Sequence, residues 1–144
     1  MKKELIKKTI EISNNALAPL THFCVGAILE TSNGNLYTGV NVETPSALFV
    51  LCAERNAITN AIANGETEFK RIYLYGHKEG HPSYRMIPPC GMCLQVMNEL
   101  CPSDFEIILI KSEEEYEIHT LNEFLPISFA RKKELKTDGE ELTR

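Results

Sequence analysis

Two cysteines in the stretch PPCGMC (residues 88–93) have a spacing that could hold a metal ion. Cys90 and Cys93 form a C-x2-C pair, in which two thiolates can bind one tetrahedral ion. The prolines before the pair predict that a helix begins there, and a helix N-terminus favours the thiolate form that binds metal. On its own the pair is also compatible with a redox dithiol or with half of a structural zinc site.

A third cysteine, in the stretch VLCAERNAI (residues 50–58), favours a catalytic metal over a structural one. A structural zinc would need a second pair of ligands, whereas Cys52 stands beside no other cysteine or histidine. Three protein ligands leave the fourth position of the metal open to water, which is typical of catalytic zinc. We therefore predict one zinc ion per chain, bound by Cys52, Cys90 and Cys93.

Two charged residues follow Cys52 in the same stretch. Glu54 lies about 200° from Cys52 on an ideal helix, so both can serve one site only if it lies over the helix N-terminus. In that place Glu54 is free to act as a general base rather than as a ligand. Three thiolates and a zinc ion leave a net negative charge, which we expect Arg55 to offset through hydrogen bonds to the sulfurs. The two remaining cysteines, Cys24 and Cys101, are interpreted as buried thiols.

The pattern around these residues alternates helices with strands. Apolar spacing predicts a first helix that ends in SNNALAP and a second helix from about residue 48 to residue 63. HFCVGAILET and NLYTGVNVE predict a hairpin around Asn33-Gly34, because both turn residues tolerate positive φ. Three more strands are predicted for RIYLYGH, FEIILIK and EYEIHT, and a helix for CGMCLQVMNEL. Thr120 and Glu123 have the form of a capping box, which predicts a short helix that begins near Leu121. This order predicts an α/β sandwich, with one sheet between helices on both faces.

The composition is that of an ordinary globular domain. The chain has 144 residues, of which 43% are hydrophobic and 24% are charged. We predict a single domain over residues 1–130 and a charged, solvated tail over residues 131–144. The net charge of −5, without a basic run, argues against a nucleic-acid partner. No apolar run is long enough to span a bilayer, so we expect no membrane partner. An odd number of cysteines argues against a disulfide framework, and we expect a cytoplasmic protein.

The combined motifs resemble the cytidine deaminase family, the small zinc enzymes that act on free nucleosides. The resemblance rests on CAER, on PCGMC 34 residues after Arg55, and on FCVGAIL and NVE before them, and it runs from about Phe23 to Phe129. It implies a three-layer α/β/α sandwich with a five-stranded mixed sheet, and a homotetramer with active sites at subunit interfaces. It also implies zinc-dependent hydrolysis of cytidine or deoxycytidine to uridine or deoxyuridine, with release of ammonia, in pyrimidine salvage.

The resemblance assigns roles to individual residues. It implies that Cys52, Cys90 and Cys93 bind zinc and that Glu54 is the proton shuttle. Substrate contacts are implied for five more residues: Asn41 and Glu43 for the ribose hydroxyls, Phe23 and the Ala53 backbone for the base, and Phe129 as an aromatic donated to a neighbouring subunit's pocket.

The sequence departs from the family pattern at four positions. The family usually continues NVE with Asn-Ala and an aromatic residue, whereas Thr44, Pro45 and Ala47 follow here, and we expect a wider or less polar wall on the sugar side. Leu94 stands where the family usually has arginine. These departures leave open a deaminase of modified cytosine nucleosides, as in the related blasticidin S deaminases.

Two other classes of protein compete with a nucleoside deaminase. A deaminase that edits RNA or DNA would be expected to have a basic surface and usually a histidine in place of Cys52. A non-enzymatic zinc module would not require Glu54. Both are therefore disfavoured by the sequence.

Overall fold

The computed structural model of the protein describes residues 2–130. The predicted tail lies outside these residues, so the division into one domain and a tail stays a prediction. The described part of the chain contains four α-helices and seven strands, in this order: α1 Lys2–Ile12, β1 Phe23–Thr31, β2 Leu36–Val40, β3 Val42–Glu43, β4 Val50–Leu51, α2 Ala53–Ala63, β5 Phe69–Lys78, α3 Gly91–Leu100, β6 Glu106–Ile110, β7 Tyr116–Thr120 and α4 Leu121–Phe124.

Five of the strands form one mixed sheet in the order β2-β1-β5-β6-β7. β5 and β6 are parallel, and the other neighbours are antiparallel. A parallel pair needs a crossover, and the chain between β5 and β6 contains α3. The predicted five-stranded mixed sheet is confirmed.

The two faces of the sheet pack against different helices. Along β5, Ile72 and Leu74 belong to the cluster that contains residues of α2 and α3, while Tyr73 and Tyr75 belong to the cluster that contains α1. Side chains alternate between faces along a strand, so one buried strand supplies both cores. The α/β/α sandwich expected from the sequence is therefore confirmed.

The predicted start of the second helix is wrong. α2 begins at Ala53, and Val50–Leu51 instead pairs with Val42–Glu43 as a two-stranded antiparallel sheet. The apolar run that resembled helix core is largely at the surface, since Leu48 is 92% exposed and Val50 53% exposed. No helix among the described residues is long and apolar enough to cross a membrane.

The hairpin between β1 and β2 forms at the predicted place with a different turn. Among residues 31–35 only Gly34 has positive φ, at 88°. The N–H of Thr31 donates to the carbonyl of Asn35 and the N–H of Gly34 donates to that of Thr31, so the loop has three residues and its left-handed position is glycine. At α4 the predicted capping box is present, formed by Thr120 and Glu123.

Candidate active site

Three cysteine sulfurs meet where two helices begin. Cys52 caps the N-terminus of α2, Cys90 caps that of α3, and Cys93 lies in the first turn of α3. The three sulfurs all lie within 4.8 Å of one another, and those of Cys52 and Cys90 are 4.0 Å apart. Both helix N-termini place partial positive charge beside the sulfurs, which favours thiolates.

The start of α2 is fixed by its contact with β2. Gly39 has no side chain where the helix passes, and a Cβ there would lie 2.5 Å from the backbone nitrogen of Ala57. The side-chain amide of Asn56 donates to the carbonyl of Val40 at 2.9 Å. These backbone contacts determine how far Cys52 and the first turn of α2 extend towards α3.

The thiols differ in their tendency to ionise. Burial opposes ionisation of Cys90, but hydrogen bonds from the Cys93 backbone and from neighbouring thiols outweigh it and lower the pKa of Cys90. Burial raises the pKa of Cys93, and the negative charge of Glu54 raises it further. A cation at this place would remove the conflict, because it stabilises all three thiolates.

Arg55 supplies positive charge to the same cluster. Its Nη2 donates to the sulfur of Cys52 at 3.2 Å, and this bond is the main cause that raises the pKa of Arg55. A bond to Cys93 contributes as well. The structure thus places Arg55 where the predicted charge compensation requires it.

The sulfur cluster fits the predicted zinc ion. Sulfurs that bind one tetrahedral zinc at 2.3 Å lie about 3.8 Å apart, close to the separation of the Cys52 and Cys90 sulfurs. Among residues 2–130, no other group of three or more Cys, His, Asp or Glu side chains lies close enough to hold an ion. A three-sulfur set is one ligand short of a closed structural site.

Glu54 lies beside the sulfurs in a buried position. Its side chain faces the cavity described below, the residue is only 6% exposed, and burial raises the pKa of its carboxyl group. The charge of this carboxylate in turn raises the pKa of Cys93. A carboxyl group in such a place can exchange protons with a molecule bound next to the metal.

A cavity of about 290 Å³ leads to the sulfurs and to Glu54. Its walls are mainly apolar. Apart from the cysteines and Glu54, three polar side chains line it, those of Thr21, Asn41 and Glu43. The lining residues are Thr21, Phe23, Val25, Asn41, Glu43, Val50, Leu51, Cys52, Ala53, Glu54, Leu74, Ile87, Pro88 and Cys90. A small, largely apolar cavity with a few fixed polar groups suits a flat heterocycle with a polar substituent.

Asn41 and Glu43 are held firmly in the wall. The amide of Asn41 accepts from the Val25 N–H and donates to the Phe23 carbonyl, both at 2.8 Å, which leaves one donor and one acceptor for a ligand. Glu43 is 5% exposed, and the Thr21 hydroxyl is the main cause that lowers the pKa of its carboxyl group. Glu43 is therefore an ionised acceptor at neutral pH.

The family follows from comparison with known proteins. The family model described as the cytidine and deoxycytidylate deaminase zinc-binding region matches residues 1–109. The chain belongs to this family. It is similar to the cytidine deaminase of Halalkalibacterium halodurans, with 35% identity over 87% of this chain and 91% of the relative. The crystal structure of cytidine deaminase from Burkholderia pseudomallei is similar at 34% identity and a TM-score of 0.79, covering 90% of this chain and 99% of that one.

A blasticidin-S deaminase of Bacillus cereus is also a relative, with 31% identity over 74% of this chain and 77% of the relative. The four departures from the family pattern bear on this comparison. Thr44, Pro45 and Ala47 form the turn between β3 and β4, where the Thr44 hydroxyl accepts from the Phe49 N–H at 3.1 Å. None of them lines the cavity within this chain, and the expected change in the sugar-side wall stays a prediction.

The fourth departure, Leu94, lies in the core of the deaminase fold. It is 9% exposed and packs in the apolar cluster between the sheet and helices α2 and α3. Val50 and Leu51, which were predicted to belong to the second helix, line the cavity instead. Their apolar character gave no signal that distinguishes a cavity wall from a helix core.

The aromatic residues expected at the site lie in different places. Phe23 lines the cavity, and its ring packs beside Gly76, where a Cβ would lie 3.0 Å from the Phe23 ring. Ala53 is fully buried at the cavity floor. Phe129 is 81% exposed and does not line the cavity of its own chain; its carbonyl accepts from the Gln95 amide at 3.0 Å.

Proposed function

We propose that this chain converts cytidine and deoxycytidine to uridine and deoxyuridine by hydrolysis, with release of ammonia. The observation that carries the proposal is a buried carboxyl group, Glu54, that lines one cavity with Cys52 and Cys90, whose sulfurs lie with that of Cys93 within 4.8 Å of one another. Membership of the deaminase family and the relatives named cytidine deaminase support the same reaction.

Cys52, Cys90 and Cys93 would hold the zinc ion, and Arg55 would balance the charge of the three thiolates. When bound, zinc supplies Lewis-acid activation of water at neutral pH. The three sulfurs would hold the ion next to the cavity that Cys52, Cys90 and Glu54 line.

Glu54 moves the protons of the reaction. Its carboxylate accepts one proton from the attacking water and donates it to the ring nitrogen, then accepts the second proton from the hydroxyl group formed on the ring carbon and donates it to the departing amine. The water oxygen ends on the ring carbon that carried the amino group, and the amino group leaves as ammonia. One carboxyl group suffices because it is regenerated in the ionised form after each turnover.

The remaining cavity residues position the nucleoside. Phe23 offers an apolar face to the base, and the Ala53 backbone lies beside the position of its polar edge. Asn41 and Glu43 keep free hydrogen-bonding capacity for the sugar hydroxyls, and a site built on such bonds binds poorly when its polar groups stay unpaired. Free cytosine is therefore expected to be a much poorer substrate than cytidine.

A modified cytosine nucleoside is the less favoured substrate. The departures that supported it lie in the β3–β4 turn and in the core, outside the cavity of the chain. The net charge of −5 likewise disfavours RNA or DNA as a substrate.

We also propose that the protein is a homo-oligomer, with a tetramer expected, that works in pyrimidine salvage in the cytoplasm. Large apolar side chains at the surface support an interface, among them Leu48 at 92% exposed, Ile127 at 96% and Phe129 at 81%. Thiols that must remain reduced to bind metal favour a reducing compartment. Sedimentation equilibrium of the metal-loaded protein tests the assembly, and a monomer at micromolar concentration would contradict it.

Ammonia release from cytidine, deoxycytidine, cytosine and cytosine-containing antibiotics tests the reaction. Glu54→Gln keeps the size of the side chain but cannot accept a proton, so activity should fall by about 100-fold or more while zinc content stays unchanged. A Glu54→Gln enzyme within about tenfold of wild type would refute the role of Glu54. A wild-type enzyme without activity on any cytosine nucleoside would refute the function.

A further inference from the structure

Thr21 lines the cavity and has no role in the reaction described above. Its hydroxyl oxygen lies 2.6 Å from Oε2 of Glu43 and 3.1 Å from the backbone nitrogen of Phe23. A carboxylate can only accept and an N–H can only donate, so the hydroxyl donates to Glu43 and accepts from Phe23. One hydroxyl group therefore connects two of the residues that line the substrate cavity.

The hydrogen bonds of Glu43 leave little freedom to its carboxylate. Oε1 accepts from the N–H groups of Leu20 and Thr21, each at 3.1 Å, and Oε2 accepts from the Thr21 hydroxyl. A carboxylate offers about four lone-pair positions. The remaining position is on Oε2, and the Thr21 hydroxyl determines the direction in which it points.

We propose that Thr21 is a positioning residue that aims the free lone pair of Glu43 at a sugar hydroxyl and so sets the discrimination between nucleosides with and without that hydroxyl. The inference rests on the proposed function. Thr21 acts through Glu43, and the backbone bond to Phe23 holds the hydroxyl in place while it does so.

A purely structural role for Thr21 makes a different prediction. If the hydroxyl only stabilised the loop before β1, its loss would affect all substrates equally. If it aims Glu43, its loss affects only substrates that offer a hydroxyl to Glu43. The ratio of kcat/KM for cytidine to that for 2′,3′-dideoxycytidine separates the two roles, because a general loss of folded protein cancels in the ratio.

The experiment measures this ratio for wild type, Thr21→Val, Thr21→Ala and Thr21→Ser. Valine keeps the shape of threonine and removes the hydroxyl, alanine provides a smaller variant if valine does not fold, and serine restores the hydroxyl. Thr38→Val, on the exposed side of β2, is the matched control. The ratio should fall roughly tenfold in the valine and alanine variants, the effect of one hydrogen bond to a charged group, and stay within about twofold in the serine and control variants.

Binding of uridine and 2′,3′-dideoxyuridine, measured by calorimetry, gives a second ratio that needs no turnover. An unchanged ratio in Thr21→Val and Thr21→Ala, with an active wild type, would overturn the role of Thr21 and leave the proposed function intact. A wild type that binds these nucleosides without deaminating cytidine would overturn the proposed function, and the binding ratio would then decide the role of Thr21. A wild type that neither binds nor turns over any of them would overturn both.

Discussion

Substitution of Gly39 by alanine should damage the active site from a distance. Gly39 lies in β2, and a Cβ there would meet the Ala53 carbonyl and lie 2.5 Å from the backbone nitrogen of Ala57. Both contacts are with the backbone of α2, so no side chain can rotate away. The helix that carries Glu54 and follows Cys52 must move instead.

The size of the effect follows from the contact distance. The contact with Ala57 is about 1 Å shorter than an ordinary van der Waals contact, so α2 must move by about that distance. Overpacking of this kind costs about 1–3 kcal/mol of stability. A misplacement of catalytic groups by about 1 Å costs roughly 100-fold in rate. Gly39→Ala should therefore remain folded and lose about 100-fold in kcat/KM for cytidine.

Gly34→Ala is the matched control. Gly34 has φ 88°, so alanine is strained there by about 1 kcal/mol, but a Cβ at this position meets nothing within 4 Å. Both variants should lose stability in thermal unfolding, and only Gly39→Ala should lose activity. If both variants have the same kcat/KM after correction for folded fraction and zinc content, the packing of β2 against α2 does not position the site.

Three further predictions concern the metal, the sugar and a surface histidine. Cys90→Ala should lose most of its zinc by elemental analysis, whereas Cys24→Ala, on the opposite face of the sheet, should keep it; full zinc in Cys90→Ala would reject the ligand. Asn41→Ala should reduce kcat/KM for cytidine by roughly tenfold and leave that for free cytosine nearly unchanged; an equal loss for both would remove Asn41 from sugar binding. Glu117, whose Oε1 lies 2.8 Å from Nε2 of His119, raises the pKa of that imidazole, and Glu123 raises it further. The ion pairs of protonated His119 should therefore add about 0.2–1 kcal/mol to the free energy of unfolding below pH 6.5. This contribution should be lost as the pH rises through the raised pKa. Chemical unfolding should find wild type more stable than His119→Gln at pH 5.5 and the two proteins equally stable at pH 9.

The fold and the metal trio could be predicted because they leave periodic or fixed signals in the sequence. The C-x2-C spacing of Cys90 and Cys93, and the positions of Glu54 and Arg55 after Cys52, can be read from the sequence without knowledge of the fold. Buried strands such as β5 and β6 contain apolar runs, which predicted that these segments are strands.

The misplaced start of the second helix has a simple physical origin, since the apolar character of a residue does not reveal what covers it. Leu48 and Val50 resemble helix core in the sequence but lie at the surface and in a short strand. Nothing in the sequence indicated a role for Thr21, because its hydrogen bond to Glu43 joins residues 22 positions apart. The hairpin turn differed from expectation because only Gly34 adopts the left-handed conformation.

The sulfurs of Cys52 and Cys90 come from positions 38 residues apart, with β5 between them in the chain. β5 is the middle strand of the sheet, and residues of α2 and α3, the helices that begin at these cysteines, pack in one apolar cluster with it. The three sulfurs therefore come together where both helices are packed against the sheet. An ion bound only by the folded chain stabilises it by mass action, by about 2.7 kcal/mol when the free metal concentration is about 100 times the dissociation constant. Core variants far from the cavity are therefore expected to lose metal and stability together, and retained zinc becomes a measure of correct folding.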